Sequence, residues 1–185
     1  MRFQSTAIQG VKIIESELHG DERGSFERLF CTHEFTNAAI GITIAQINRS
    51  RSRMRGTVRG LHFQREPMSE CKIVQCLCGT IFDVVVDLRR SSITYLKWHA
   101  ELLSEWNRKA FCVPKGCAHG FQTLTDNAEV LYFTDEFYSP EHEHIINIRD
   151  PNIGIEWPLP ITVISNKDRN APFLEQFIEN EVALV

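Results

Sequence analysis

Apolar residues in this chain cluster in short runs, and turn-forming residues separate the runs. The runs recur roughly every 8–12 residues with Gly, Asn, Asp or Pro between them, a spacing typical of a β-sandwich or β-barrel. Helical periodicity is scarce. The pattern predicts strands within residues 10–16, 24–30, 42–48, 58–64, 71–88, 94–103, 109–116, 119–125, 128–137 and 144–148.

The stretch TIFDVVVDL, residues 80–88, alternates as a strand with two different faces does. Gly79 interrupts the longer apolar run just before it and predicts a hairpin turn. One face is expected to carry Ile81, Asp83, Val85 and Asp87, and the other Phe82, Val84 and Val86.

Two segments favour short helices. THEFTNAAI begins with Thr32, which suits the N-cap position, and has Glu34 in the first turn. PFLEQFIENE, residues 172–181, has apolar residues at the spacing of an amphipathic helix. With no internal repeat or linker, the pattern predicts one all-β domain, residues 1–185, with a few short peripheral helices.

Composition and charge are those of an ordinary globular protein. The chain has 185 residues, 43% hydrophobic and 24% charged, with a formal net charge of −4. This balance gives no reason to expect a nucleic-acid partner, and the basic segment RSRSRMR, residues 49–55, is interpreted as a solvated loop. The chain shows no secretory signal region and no apolar run of roughly 20 residues. We therefore expect a cytoplasmic protein without membrane contact.

The six cysteines favour free thiols. None forms C-x-x-C, and no histidine pairs follow at zinc-finger spacing. Without a secretory signal, disulfides are the weaker interpretation. Cys76 and Cys78 alternate with Gln75 and Leu77, so we expect both to be small core residues on one strand face.

The segment VPKGCAHGF contains Pro114, Gly116 and His119 at the spacing P-x-G-x-x-H, in which a tight turn delivers a histidine to the next strand. This spacing resembles a motif of the cupin superfamily, whose fold is a double-stranded β-helix or jelly roll. A metal-binding cupin also needs an H-x-H cluster with a nearby carboxylate. This chain has His62 in HFQ instead, so we expect a pocket without metal.

Polar residues occupy several β-type runs where apolar residues are expected. One such residue is usually a hydrogen-bonded core group, and that interpretation prevails for a lone histidine. Several on different strands favour a polar cavity inside a small barrel, which suits one ligand. The residues are Gln46, Asn48, Arg59, His62, Lys72, His119 and Tyr132.

A longer set of motifs makes the resemblance specific. In order, the chain contains DERGSF, RGTVRGLHFQ, CKIVQ, FDVVVDLRRSSITY, VPKGCAHGFQTL, LYFTDEFYSP and ISNKDRNAP. The set resembles the dTDP-4-dehydrorhamnose 3,5-epimerase family, from about residue 10 to about residue 174. The combination of R-G-x-H-F-Q, A-H-G-F and S-x-K-D discriminates far better than any one motif.

The resemblance implies a cofactor-independent enzyme that acts on a nucleotide-linked 4-keto-6-deoxyhexose. The ketone at C4 makes the protons on C3 and C5 weakly acidic. Inversion then needs a base, a group that stabilises the enolate at O4, and an acid on the opposite face.

The family's catalytic roles map onto four residues. His62 matches the general base, and Asp168 matches the carboxylate that orients it. Lys72 matches the cation near O4, and Tyr132 matches the acid on the opposite face. Without the resemblance, these would be a polar group in a barrel wall, a turn or cap residue, an exposed lysine and a packed aromatic. His119 matches a second pocket histidine.

The resemblance also assigns residues to the nucleotide. Arg59 matches a pyrophosphate contact, which a guanidinium suits. Gln46 and Asn48 match polar contacts to sugar or phosphate, and Tyr138 matches an aromatic that packs on the base.

Arg23 and Phe26 match residues that the family's homodimer lends across its interface to the nucleotide. For the whole nucleotide group, the competing interpretation is that these are ordinary solvated polar groups and packed core side chains.

The chain departs from the family pattern at two places. Many relatives carry W-N-D-P where this chain has IRDP, residues 148–151, and SEC at residues 69–71 is also atypical. These departures leave the exact nucleotide sugar open, and with it the choice between C3 alone and both carbons. Two hypotheses from different classes also stay open, namely a metal-dependent cupin isomerase or oxygenase and a non-catalytic sugar-binding jelly roll.

Within VRGLHFQ, residues 58–64, strict alternation would send Arg59 and His62 to opposite faces. The resemblance places both in one pocket. Gly60 lies between them, and a strand glycine often marks a bulge that resets the alternation. The sequence therefore predicts a bulge at Gly60 that turns both side chains inward.

Overall fold

The computed structural model describes residues 1–177. Its fourteen strands are β1 (Arg2–Ser5), β2 (Lys12–Glu15), β3 (Leu18–Asp21), β4 (Gly24–Glu27), β5 (Gln46–Ser52), β6 (Thr57–Gln64), β7 (Lys72–Cys78), β8 (Thr80–Asp87), β9 (Trp98–Ser104), β10 (Lys109–Val113), β11 (Cys117–Thr123), β12 (Ala128–Thr134), β13 (Glu143–Ile145) and β14 (Val163–Ile164). Two short helices are α1 (Thr32–Asn37) and α2 (Asn166–Arg169), and residues 174–177 are also helical.

Most strands belong to two facing sheets. The first sheet has the order β1-β2-β10-β7-β12-β5, and the second has the order β13-β6-β11-β8-β9 with β14 beside β6. All pairings except the parallel β14–β6 pair are antiparallel. Strands β3 and β4 form a separate hairpin that pairs with neither sheet. The all-β prediction is confirmed.

The alternation predicted for β8 is confirmed by the core. Ile81 and Val85 pack in the layer between the sheets, together with Val74 and Phe111. Val84 and Val86 pack with their neighbours on the outer face of the second sheet. A third cluster, around Phe35 of α1, covers the outer face of the first sheet. The turn predicted at Gly79 also forms, with a positive φ of 76°.

The helix predicted at Thr32 forms, but its predicted cap is wrong. The N-cap residue is Cys31, which has extended backbone angles and makes no side-chain capping bond. Thr32 is already the first helical residue. In the C-terminal prediction, residues 174–177 are helical, and the remainder of that segment lies outside the described residues.

Two further expectations are corrected. The segment 49–55 is not entirely a loop, because its first four residues belong to β5, an edge strand paired with β12. At an edge, alternate side chains face solvent, and Arg49 and Arg51 there reach Glu129 of β12. This arrangement accommodates an arginine at every second position in a paired strand.

Cys76 is buried as expected, but Cys78 is exposed. The pairing of β7 with β12 shifts register between Glu129 and Val130, so the two cysteines no longer share a face. All six cysteines are free thiols, as expected.

Candidate active site

The bulge predicted at Gly60 is present. His62 pairs with His119 and Arg59 pairs with Phe121, so two residues of β6 face the single residue Gly120 of β11. Gly60 has a φ of 128°, and a Cβ there would lie 2.5 Å from the Cα of Gly120. Only glycine fits this close approach. The peptide bond after Gly60 is cis.

Because of the bulge, Arg59 and His62 line the same cavity between the sheets. A chamber of about 130 Å³ and an adjoining chamber of about 270 Å³ share His62, Lys72 and Tyr132. Eight of the eleven predicted site residues line these two chambers, namely Gln46, Asn48, Arg59, His62, Lys72, His119, Tyr132 and Tyr138. A larger groove beside Tyr95 and Phe177 holds none of them.

The cavity lies where the inward-facing positions of the strands change from apolar to polar. On β7, Val74 and Cys76 pack in the central core, whereas Lys72 faces the cavity. On β12, Val130 belongs to the core and Tyr132 lies at its margin, lining both chambers. The same strands that form the core therefore position the polar groups.

Asp168 lies behind His62. Its Oδ1 atom is 2.8 Å from Nε2 of His62, and the first turn of α2 holds it there, where the hydroxyl of Ser165 accepts a hydrogen bond from the amide of Asp168. Burial disfavours the charged carboxylate, but bonds from His62, Ser165 and the amide of Gly60 keep the pKa of Asp168 below its ordinary value. The bulge thus supplies a backbone donor to the carboxylate that holds His62.

A second histidine–carboxylate pair involves Asp83, which sequence reasoning did not select. Oδ1 of Asp83 lies 2.7 Å from Nε2 of His119, and both residues are buried. Burial raises the pKa of Asp83, and His119 and Lys72 oppose that increase. Its place on the inward face of β8 was visible in the alternation.

Lys72 and Tyr132 stand on the first sheet, across the cavity from His62. The ammonium of Lys72 lies 2.7 Å from Oε1 of Glu70. Burial raises the pKa of the Tyr132 phenol, Arg59 opposes the increase and Glu70 adds to it. Glu70 was not among the predicted site residues either.

The outer part of the larger chamber is built around Glu143. Its Oε2 atom accepts a hydrogen bond from the hydroxyl of Tyr138 at 2.8 Å and forms an ion pair with Lys167. Its Oε1 atom lies 3.7 Å from Nδ1 of His62. Tyr138 is 54% exposed, so its ring is available for stacking. Sequence reasoning missed Glu143, because its strand has three residues and no alternation to interpret.

Arg23 and Phe26 are not part of this cavity. Both lie on the detached β3–β4 hairpin, where Phe26 is 65% exposed and Arg23 forms an ion pair with Asp21. Whether a partner subunit uses them stays a prediction.

Neither a metal cluster nor a membrane span is found within the described residues. Among residues 1–177, no group of three or more His, Cys, Asp or Glu side chains could hold a metal ion. In the same part of the chain, no helix is long and apolar enough to cross a membrane. The expectation of a metal-free enzyme stays a prediction.

Comparison with known proteins places the chain among sugar-nucleotide epimerases. The sequence model of the dTDP-4-dehydrorhamnose 3,5-epimerase family matches residues 5–176. The enzyme of that name from Methanothermobacter thermautotrophicus is 45% identical over 91% of this chain and 92% of its own length. The enzyme of that name from Salmonella typhimurium is 42% identical over 95% of this chain and 97% of its own length.

Solved structures agree. The crystal structure of dTDP-4-dehydrorhamnose 3,5-epimerase from Bacillus anthracis with TDP and pyrophosphate bound superposes with a TM-score of 0.91 at 38% identity, covering 94% of this chain and 99% of its own. A 3′-monoepimerase from Streptomyces bikiniensis in complex with dTDP-quinovose superposes with a TM-score of 0.88 at 32% identity, covering 96% of this chain and 90% of its own. The expected cupin-type jelly roll is confirmed. This chain belongs to the dTDP-4-dehydrorhamnose 3,5-epimerase family and is an enzyme of the isomerase class.

Proposed function

We propose that this enzyme inverts C3 and C5 of a dTDP-linked 4-keto-6-deoxyhexose, and that His62, Asp168, Lys72 and Tyr132 carry the chemistry. The observation that carries this proposal is the cavity itself. The imidazole of His62 on the second sheet is bound to the buried carboxylate of Asp168 from α2. The phenol of Tyr132 and the ammonium of Lys72 lie on the facing sheet.

His62 acts as the base. With Nε2 bound to Asp168, the proton from carbon goes to Nδ1, which makes no hydrogen bond within the described residues and has Oε1 of Glu143 at 3.7 Å. Asp168 fixes the tautomer and stabilises the imidazolium that forms. The lowered pKa of Asp168 supports this role, because the carboxylate stays ionised when His62 gains its proton.

Lys72 stabilises the enolate and Tyr132 returns the proton. Removing a proton next to the C4 ketone moves negative charge onto O4, and a fixed ammonium lowers the energy of that charge. The raised pKa of Tyr132 keeps the phenol protonated and able to donate from the face opposite His62. His119, held by Asp83, positions the sugar.

The nucleotide extends from this cavity towards the exposed side of β5. Arg59 contacts the pyrophosphate, Gln46 and Asn48 contact sugar or phosphate, and Tyr138 packs on the base. Gln46 and Asn48 are already joined by a hydrogen bond of 3.1 Å, and the amide of Tyr138 donates to Gln46, which holds these groups together.

The functional unit is a homodimer of single-domain chains, residues 1–185, in which each partner lends Arg23 and Phe26 to the neighbouring nucleotide site. The hairpin supports this proposal, since it pairs with neither sheet and exposes Phe26. We place the enzyme in the cytoplasm, where its six free thiols would persist.

Isotope exchange tests the function. The enzyme is incubated with dTDP-4-keto-6-deoxyglucose in D₂O, and deuterium at each carbon is followed by NMR. We expect deuterium at both C3 and C5. Incorporation at C3 alone would identify a 3-epimerase, and incorporation at neither carbon would refute both.

A metal assay accompanies the exchange experiment. We expect full activity after chelation and no stoichiometric Fe, Mn or Zn in the purified protein. Stoichiometric metal whose removal abolishes exchange would favour a metal-dependent cupin instead.

A further inference from the structure

Glu70 stands inside the proposed active site. It lines the larger chamber and lies just before β7, two residues from Lys72. Its Oε1 atom is 2.7 Å from Nζ of Lys72, and the two side chains are only 10% and 14% exposed. The ammonium is therefore held by a carboxylate that is largely withdrawn from water.

The charge on Glu70 acts on two groups at once. It fixes the position of the Lys72 ammonium, because a charge-assisted bond at this distance restricts a flexible lysine. It also disfavours a phenolate at Tyr132. Burial already raises the pKa of that phenol, and Arg59 opposes the increase. An amide of the same shape would keep a bond to Lys72 but lose the effect on the phenol.

We propose that Glu70 is a positioning residue that holds Lys72 at the enolate oxygen and keeps Tyr132 in its acid form. This proposal rests on the proposed function, since it assigns Glu70 a purpose through the two residues on the wall facing His62. The ionisable groups that line the larger chamber together with Glu70 are Lys72, Tyr132, Tyr138, His62 and Glu143. Arg59 and His119 line the adjoining chamber, and Asp83 lies behind His119.

The test compares Glu70→Gln with Glu70→Asp and with Glu66→Gln. Glu66 is exposed outside the cavity, so its variant removes the same charge without touching the site. In Glu70→Gln, the loss of the carboxylate lets Tyr132 ionise more easily. We expect the alkaline limb of kcat to move about half a pH unit or more towards lower pH, with kcat reduced roughly threefold to tenfold at neutral pH and KM unchanged.

Glu70→Asp retains the charge and should keep the wild-type alkaline limb, as should Glu66→Gln. A merely structural role for Glu70 would lower the thermal midpoint and leave the limb in place. An alkaline limb in Glu70→Gln that superposes on that of the wild type overturns the proposal.

A second measurement does not depend on catalysis. The titration of Tyr132 is followed by the ultraviolet absorbance of tyrosinate, as the difference between each protein and its Tyr132→Phe counterpart. We expect Tyr132 to ionise at lower pH in Glu70→Gln than in the wild type. Unchanged titration would refute the role of Glu70 even if the enzyme proved inactive on the 4-keto sugar, whereas an absence of exchange in the wild type would refute the proposed function alone.

Discussion

His62 and Asp168 lie 106 positions apart in the chain and are joined by a hydrogen bond of 2.8 Å. The carboxylate also accepts a hydrogen bond from the amide of Gly60, so the backbone of the strand that carries the imidazole holds its partner as well. The orientation of His62 therefore depends on the backbone of β6 as well as on Asp168.

Asp168→Asn should lower kcat by roughly 10²–10⁴-fold, because the amide cannot stabilise the imidazolium by charge. Steady-state kinetics on the 4-keto sugar nucleotide would measure the loss. Binding of dTDP by calorimetry is the control, since the nucleotide residues are untouched and its affinity should stay within a few-fold. Activity within threefold of the wild type would contradict the assignment of Asp168.

Tyr132→Phe should separate the two halves of the reaction. His62 can still remove a proton and return one to the same face, so recovered starting material should gain deuterium in D₂O. Formation of inverted product should fall by roughly 10²–10⁴-fold. Loss of exchange and inversion in equal measure would assign Tyr132 a different role.

Mixing two inactive variants tests the shared site. In a heterodimer of Arg23→Ala and His62→Ala subunits, one site lacks both groups and the other has both. If Arg23 acts across the interface, a randomised equimolar mixture should recover about one quarter of the wild-type activity. If Arg23 acts within its own chain, every site stays defective and mixing recovers nothing.

Gly60→Ala should destabilise the fold by at least about 2 kcal/mol and abolish epimerisation. The added methyl would lie 2.5 Å from the Cα of Gly120 at a φ that alanine rarely adopts. Gly41→Ala is the matched control, because a Cβ there meets nothing within 4 Å. Urea unfolding measures both variants, and equal midpoints would contradict the close packing at the bulge.

Asp87 supports the fold away from the cavity. Burial opposes its charge, but bonds from Arg89, Ser92 and Thr94 lower its pKa from 3.8 to about 2. A lowered pKa in the folded state stabilises the protein above the unfolded value, and that stability is lost as pH falls through the folded value. Asp87→Asn should therefore cost about 2 kcal/mol at pH 7.

The difference in unfolding free energy between the wild type and Asp87→Asn should narrow as pH falls from about 4 towards 2. Urea unfolding at several pH values would show this. Glu141→Gln, which removes an exposed charge, should leave the pH dependence as in the wild type. A pH-independent difference for Asp87→Asn would contradict the lowered pKa.

Strand alternation and local motifs predict the strands and most of the polar residues in the cavity, whereas the bulge follows only from the family resemblance, which places Arg59 and His62 in one pocket. The same logic could not separate two aspartates on one face of β8. Asp83 pairs with a cavity histidine, whereas Asp87 pairs with Arg89 of the following loop. Four residues apart on one strand, they have the same pattern, and only distant partners distinguish them.

Two of the errors, at Cys78 and in the segment 49–55, share that cause. Cys78 leaves the core through a register shift set by β12, and Arg49 lies in a strand because β12 pairs with it. Asp168 belongs to a capped turn, as its local sequence suggests, and it still reaches His62 because α2 packs beside β6. Neither the position of a strand at the edge of a sheet nor its register can be derived from a short window of sequence.

The extra residue in β6 matters for its backbone amide rather than for the direction of the neighbouring side chains. If Gly60 were deleted, Arg59 and His62 would stand two apart and would still face one cavity by ordinary alternation. The deletion would remove the amide of Gly60, which donates to Asp168. A shorter strand would thus keep every side chain of the cavity wall and lose one of the donors that hold Asp168, so the number of residues in β6 matters to the site as much as their identity.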